Sequence, residues 1–254
     1  MFRKIFAWSL AFVFAASLFA VPSSAGEAMS VKEILNKIQA NQGKIKDMYA
    51  ETTTTIVSDL SGLKGSKAGP QKMVQKGKMW TKGKDKSRIE MLSPMKQVTI
   101  NNGDKMAIIN SETGQKIVQD MKKLREKQGL PQSKSMDLEE AMKYFDLSVN
   151  RQSALLGGGN YIIVGIPKEE NKFLSKMEFY VDPSRWIPVK IMMYGPRGKL
   201  MSESEIEYKE ISGVWIPVKN VSSITSPAGK MKAEMEFSNI KVNQGIKDSE
   251  FSVE

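Results

Sequence analysis

Histidine and cysteine are both missing from this 254-residue chain. Their absence removes the commonest general base, the commonest metal ligand, thiol nucleophiles, thiolate metal sites and disulfides together. Carboxylates, lysines and hydroxyls remain for catalysis. The carboxylates stand as Glu203, Glu205 and Glu207, and again as Glu234 and Glu236, with Lys209 and Lys232 in step with them. A spacing of two is the period of one strand face, so these groups read as solvent-facing charge rather than an acid–base pair. Gly157-Gly158-Gly159-Asn160 has no Lys-Ser/Thr pair after it and leads into a strand pattern, so it is a turn and not a phosphate cradle. No catalytic residue, metal site or cofactor is expected. A Ser-Lys or two-carboxylate hydrolase is the remaining enzymatic reading, and no spacing supports it.

The side chains whose spacing does suggest a ligand are apolar. Met177, Phe179 and Val181 alternate with Lys176, Glu178 and Tyr180, and Val189, Ile191 and Met193 form a second such group. Ile206 with Tyr208, and Met231, Ala233, Met235 and Phe237, continue the pattern; Ile89 with Met91 and Val98 with Ile100 repeat it earlier in the chain. All are expected on one apolar inner face. Seventeen methionines, many at these positions, suit a surface that accepts varied apolar ligands, because thioether chains are flexible and polarizable. Ordinary core filling is the competing reading for any single methionine.

The elements that position this face follow from the same patterning. Ser30-Val31-Lys32-Glu33 is a capping box, and Val31, Ile34, Leu35 and Ile38 give the helix over 30–42 one apolar stripe. Strands are predicted over 49–60, 72–82, 87–92, 97–101 and 105–110, with a weaker one over 115–120. A glycine-rich hairpin tip spans 61–70. The alternation then breaks. Residues 121–128 are helix-prone, and Asp137-Leu138-Glu139-Glu140 caps a second short helix ending at Tyr144 or Phe145. Leu124, Leu138, Met142 and Phe145 give these two helical segments an apolar side, and with Leu35 and Ile38 they are expected to form a lid. Strands resume over 146–151, 161–167, 173–181, 187–194, 200–211, 214–225 and 230–242. Trp186-Ile187-Pro188-Val189-Lys190 recurs as Trp215-Ile216-Pro217-Val218-Lys219, each proline near a strand start where a missing N–H is tolerated. The two tryptophans either line the cavity or brace the sheet edge. The fold class is mainly β with an α lid: a single antiparallel, strongly curved sheet, an unclosed β-barrel, covered by the N-terminal helix and short central helices.

Phe2-Arg3-Lys4, the apolar run over 5–21 and Ser23-Ser24-Ala25 together read as a signal peptide over 1–25. A membrane anchor is the competing reading, but the run is short and Pro22 follows at once. Residues 26–254 then form one exported domain. Only six of the 38 basic residues are arginine, which argues against nucleic acid, whose phosphates and bases favour arginine. The net charge of +10 fits a solvated lysine surface, or transient contact with anionic membranes or acidic partners.

The series Val181-Asp182-Pro183, Trp186-Ile187-Pro188-Val189-Lys190 and Tyr194-Gly195-Pro196-Arg197-Gly198 resembles the LolA-like outer membrane lipoprotein-sorting family. Gly213-Val214-Trp215-Ile216-Pro217, the closing run from Phe237-Ser238-Asn239 to Glu250-Phe251, and Gly77-Lys78-Met79-Trp80 with Arg88-Ile89 are similar to it as well, as is the Asn102-Gly103-Asp104-Lys105 turn. The resemblance spans nearly the whole exported chain. It implies a periplasmic carrier, a monomeric chaperone for acyl chains, that takes lipoproteins or another lipid from an inner-membrane donor complex to an outer-membrane acceptor. Its cavity-lining residues are then Trp80, Ile89, Met91, Val98, Ile100, Met177, Phe179, Val181, Val189, Ile191, Met193, Met235 and Phe237. A chain of roughly fifteen methylenes carries about 12 kcal/mol of transfer free energy, so it needs shelter to cross water but no covalent chemistry. The family's lid-holding arginine after the tryptophan strand is replaced by Trp80-Thr81-Lys82-Gly83-Lys84, where Lys82 is a weak substitute. A lipid- or lipoprotein-sensing envelope interaction domain on the same fold is the alternative.

Overall fold

A computed structural model of the chain describes residues 29–59, 61, 69–123, 142–151, 159–170, 174–226 and 229–253. The expected signal peptide, Leu124, Leu138 and most of the expected central helices lie outside the described residues. Helix α1, Val31–Gln42, opens as the capping box requires: the Ser30 hydroxyl accepts from the Glu33 N–H at 3.3 Å, and the Glu33 carboxylate accepts from the Ser30 N–H at 2.7 Å. This satisfies two of the N–H groups that a helix start leaves without an intrahelical partner. Ile34 and Ile38 of the apolar stripe are buried.

Among the described residues, thirteen strands form one antiparallel sheet. The first half holds β1 (Asp47–Asp59), β2 (Gln71–Lys82), β3 (Lys86–Ser93), β4 (Gln97–Asn102), β5 (Lys105–Asn110) and β6 (Lys116–Asp120). The second holds β7 (Phe145–Arg151), β8 (Tyr161–Pro167), β9 (Lys176–Asp182), β10 (Ile187–Tyr194), β11 (Leu200–Ile211), β12 (Val214–Ser226) and β13 (Gly229–Val242). Each half is a meander, and the two join where β1 pairs with β13, giving the order β6-β5-β4-β3-β2-β1-β13-β12-β11-β10-β9-β8-β7. β6 and β7 are the free edges, so the barrel does not close. The sheet nevertheless curls. Thr81 of β2 and Pro188 of β10 stand five strand spacings apart, about 24 Å in a flat sheet, yet they line one cavity of about 240 Å³.

Cross-strand partners point to the same side of a sheet, and alternate residues to opposite sides, so the registers assign every strand's faces. On the inner face α1 covers β7 to β10: Ile34 and Ile38 pack with Ile163 and Val181, flanked by Leu35, Val149, Tyr161, Phe179 and Trp186. A second core joins Met48, Val214, Ile216 and Val242 near the β1–β13 seam. The third lies on the outer face, where the C-terminal segment seats Phe251 and Val253 against Ile100 and Ala107, beside Trp80, Val98, Ile109 and Ile246. Polar groups fasten that segment. Lys82 and Lys86 reach Asp248 at 3.2 and 2.7 Å, Lys82 also donates to the Ile246 carbonyl at 2.8 Å, and Asn102 donates to the Phe251 carbonyl at 3.1 Å. Lys82 therefore fastens the chain's C-terminal segment.

Candidate functional site

The duplicated phrase builds the same local structure twice. In the first copy Pro188 pairs with Val181 and Lys190 with Tyr180, so Val189 is an extra residue. In the second, Pro217 pairs with Tyr208 and Lys219 with Glu207, so Val218 is extra. Both are β-bulges, which tolerate a proline because the ladder is already interrupted there. Each bulge resets the alternation so that proline faces inward and lysine outward. The lysines then bridge glutamates on the next strand. Lys190 contacts Glu203 closely and Glu205 at 3.4 Å, and Lys219 contacts Glu234 at 2.6 Å and Glu236 at 3.6 Å. Glu203, Glu205, Glu234 and Glu236 are thus members of outer-face ion pairs, half or fully exposed and screened by solvent.

On the inner side both copies deliver their aromatic and proline to one cavity. It lies past the C-terminal end of α1 and is lined by Asn41, Gln42, Ile45, Met48, Thr81, Trp186, Ile187, Pro188, Tyr208, Trp215 and Pro217, with a volume of about 240 Å³. Trp186 stacks on Tyr161 with ring centroids 5.9 Å apart, and the Lys37 ammonium stands 4.8 Å from its ring. The Arg185 guanidinium lies 5.0 Å from the Trp215 centroid and pairs with Asp182 at 2.6 Å. The Arg185 carbonyl accepts from Asn41 Nδ2 at 2.9 Å, which ties the end of α1 to the β9–β10 turn. Burial alone would raise the Asp182 carboxyl, but hydrogen bonds from Ser184 and Arg185 hold it below the ordinary range. The Tyr208 hydroxyl has no hydrogen-bond partner among the described residues, and burial pushes its pKa up to about 12.

From the cavity the inner face continues as an apolar wall. Met177 with Met193 and Phe179 with Ile191 are cross-strand pairs, Val181 is buried under α1, and Met235 and Phe237 lie opposite Thr54 and Thr52. Ile89 and Met91 reach the same wall through Met79 and Gly77. These nine residues of the expected lining share one face. Val189, the bulge residue, has no cross-strand partner there and is half-buried.

Three expected lining residues lie elsewhere. Trp80 pairs with Tyr49 and Arg88, and Arg88 pairs with Ile100 and Glu90 with Val98, which puts Trp80, Val98 and Ile100 on the outer face under the C-terminal segment. Among the expected lid residues, Leu35 and Ile38 do sit on the wall with α1. Met142 is helical and half exposed. Phe145 opens strand β7, paired with Pro167, instead of closing a helix. Its ring packs beside Gly165, where the missing side chain leaves room, and the strand begins one residue earlier than the alternation predicts. Asn41, Thr81, Met48 and the two prolines of the cavity carry no sequence signal of a site beyond the duplicated phrase itself.

Among the described residues no group of three or more acidic side chains is placed to hold a metal ion. None of their helices is long and apolar enough to cross a membrane.

Comparison with known proteins agrees with this geometry at the level of fold. A family model described only as an uncharacterized protein matches residues 135–254. No curated protein sequence matches the chain. Among crystal structures, a DUF1329 family protein from Desulfovibrio piger superposes with a TM-score of 0.59 at 16% identity, over 87% of this chain and 97% of its own. A LolA superfamily protein from Nitrosomonas europaea gives 0.58 at 14%, over 89% and 98%. A domain from Vibrio parahaemolyticus assigned to outer membrane lipoprotein sorting gives 0.55 at 14%, over 86% and 95%. The chain has the LolA-like fold.

Proposed function

We propose that this protein is an exported carrier that shelters the acyl chains of a lipoprotein, or of another lipid, against the inner face of its sheet. The observation that carries the proposal is that this apolar face is left half open. Met73, Ile89, Met193 and Ile224 keep 40, 46, 36 and 38% of their surface exposed, although all four lie on the wall that α1 covers only at one end. A contiguous apolar face bordered by charge marks a binding surface in a water-borne protein. The cavity beneath the tryptophans is smaller than the ~300–1,000 Å³ of common ligand sites. It therefore seats one end of a long chain whose remainder lies along the wall. The shared fold with a domain assigned to lipoprotein sorting supports the same cargo class.

Residues 26–254 act as one monomeric domain in the periplasm after loss of 1–25, and no covalent step is involved. The lid and the partners belong to the same proposal: an inner-membrane donor and an outer-membrane acceptor, approached through the lysine-rich surface.

Introducing a charge into the wall tests this directly. Met193→Glu and Ile224→Glu should each weaken binding of a fluorescent fatty-acyl probe by about tenfold or more, because the carboxylate would be desolvated by the chain. Lys232→Glu, on the outer face, should leave binding unchanged. Equal binding by all three variants, or no binding by the unmodified protein, refutes the assignment.

A further inference from the structure

Among the polar side chains that the registers place on the inner face, such as Thr52, Thr54 and Ser202, three on β11 and β12 answer only to one another. Ser204 of β11 and Asn220 and Ser222 of β12 lie on the inner face by register, Ser204 opposite Ser222 and Asn220 opposite Ile206. Their neighbours on β13 are Ala233, opposite Ser222, and Met235, opposite Asn220. Asn220 Oδ1 lies 2.8 Å from Ser204 Oγ and 3.1 Å from Ser222 Oγ, and the two hydroxyls share a 2.6 Å hydrogen bond, so one serine donates to the amide oxygen and the other donates to that serine's hydroxyl. Asn220 Oδ1 thus serves the cluster as an acceptor. Its Nδ2 carries two N–H donors with no partner among the described residues.

In water those donors are satisfied by solvent. Beneath a hydrocarbon chain they are not, and a desolvated donor without an acceptor costs as much as a lost hydrogen bond. An apolar occupant is therefore penalised here unless it brings an acceptor of its own. Asn220 stands three residues beyond Pro217 on β12, about 10 Å at the strand rise of ~3.3 Å per residue. We propose that Asn220, oriented by Ser204 and Ser222, is a recognition site for the ester or amide carbonyl of an acyl chain, with the hydrocarbon running from there toward the tryptophan-lined cavity. The site selects acylated molecules over hydrocarbons and ethers of equal length. It rests on the carrier function proposed above and specifies its ligand.

The test compares two lipids that differ only in the carbonyl: 1-monopalmitoylglycerol and its ether counterpart 1-O-hexadecylglycerol, each displacing a fluorescent alkyl probe from the purified protein. The unmodified protein should prefer the ester by about fivefold, the worth of one net hydrogen bond. Asn220→Leu should abolish that preference while holding or improving ether binding, and the milder Ser204→Ala/Ser222→Ala pair should reduce it. Equal affinities in the unmodified protein overturn the proposal while leaving the carrier function standing, as does a preference that survives in Asn220→Leu. Binding of neither lipid removes the carrier function and this site with it.

Discussion

Tyr194 and Tyr208 both keep their protons to about pH 12, for different physical reasons. Tyr208 is shifted by burial at the cavity, whereas Tyr194 is shifted by burial and by donating its hydroxyl to the Glu178 carboxylate at 2.9 Å. The sign of the stability effect follows. An unfolded tyrosine ionises near 10.0, so above that pH the unfolded chain binds fewer protons than the native one and stability falls until about 12. Tyr208→Phe should flatten part of that alkaline loss, measured as the denaturant midpoint below pH 10 and near pH 12. Glu178→Gln should lower the Tyr194 pKa part of the way toward its ordinary value and leave Tyr208 untouched, as read from tyrosinate absorbance. At this scale the sequence was legible only in outline. Tyr208 was placed on the apolar face by its step from Ile206, but nothing local showed that two distant tryptophans would meet beside it.

Single elements carry clearer stability consequences. Gly77 sits where β2 slips register against β3, and a Cβ built there falls 2.6 Å from the Glu90 carbonyl oxygen and 3.1 Å from Thr52 Oγ1. Gly77→Ala should therefore destabilise the sheet by about 1–3 kcal/mol, visible as a lower melting temperature. Phe251 is fully buried by the C-terminal segment against Ile100 and Ala107. Truncating Phe251 to alanine should cost about 3–5 kcal/mol in denaturant unfolding, although the residue sits in a short 3-10 turn outside every strand of the sheet. The strands and α1 were readable to within a few residues, because period-2 alternation and the capping box are local signals. The side of the sheet was not. Alternation shows that Val98 and Ile100 share a face, but the face is set by pairing through β3 and β2, and by which cover happens to lie there. The C-terminal segment made an outer face apolar where a single-sided sheet would have kept it wet. Trp80 followed the same logic to the same side.

For the whole molecule, an open sheet joins two meanders at β1 and β13 and keeps one curled face apolar and half exposed. The opposite face is fastened by lysine–glutamate pairs around both copies of the duplicated phrase. That phrase is a bulge repeated in two hairpins. Its prolines and tryptophans turn inward to the cavity and its lysines outward to charge. The curvature that brings Thr81 within the same cavity as Trp186 was legible in the sequence only through the number of strands and the family resemblance, since no single residue encodes it.

The most direct measurement is to purify the mature protein from its native cells, extract it with organic solvent, and identify what is released by mass analysis. A stoichiometric acylated lipid or lipoprotein is the predicted result. A protein that emerges free of lipid, and takes up no acylated probe afterward, would contradict the carrier function.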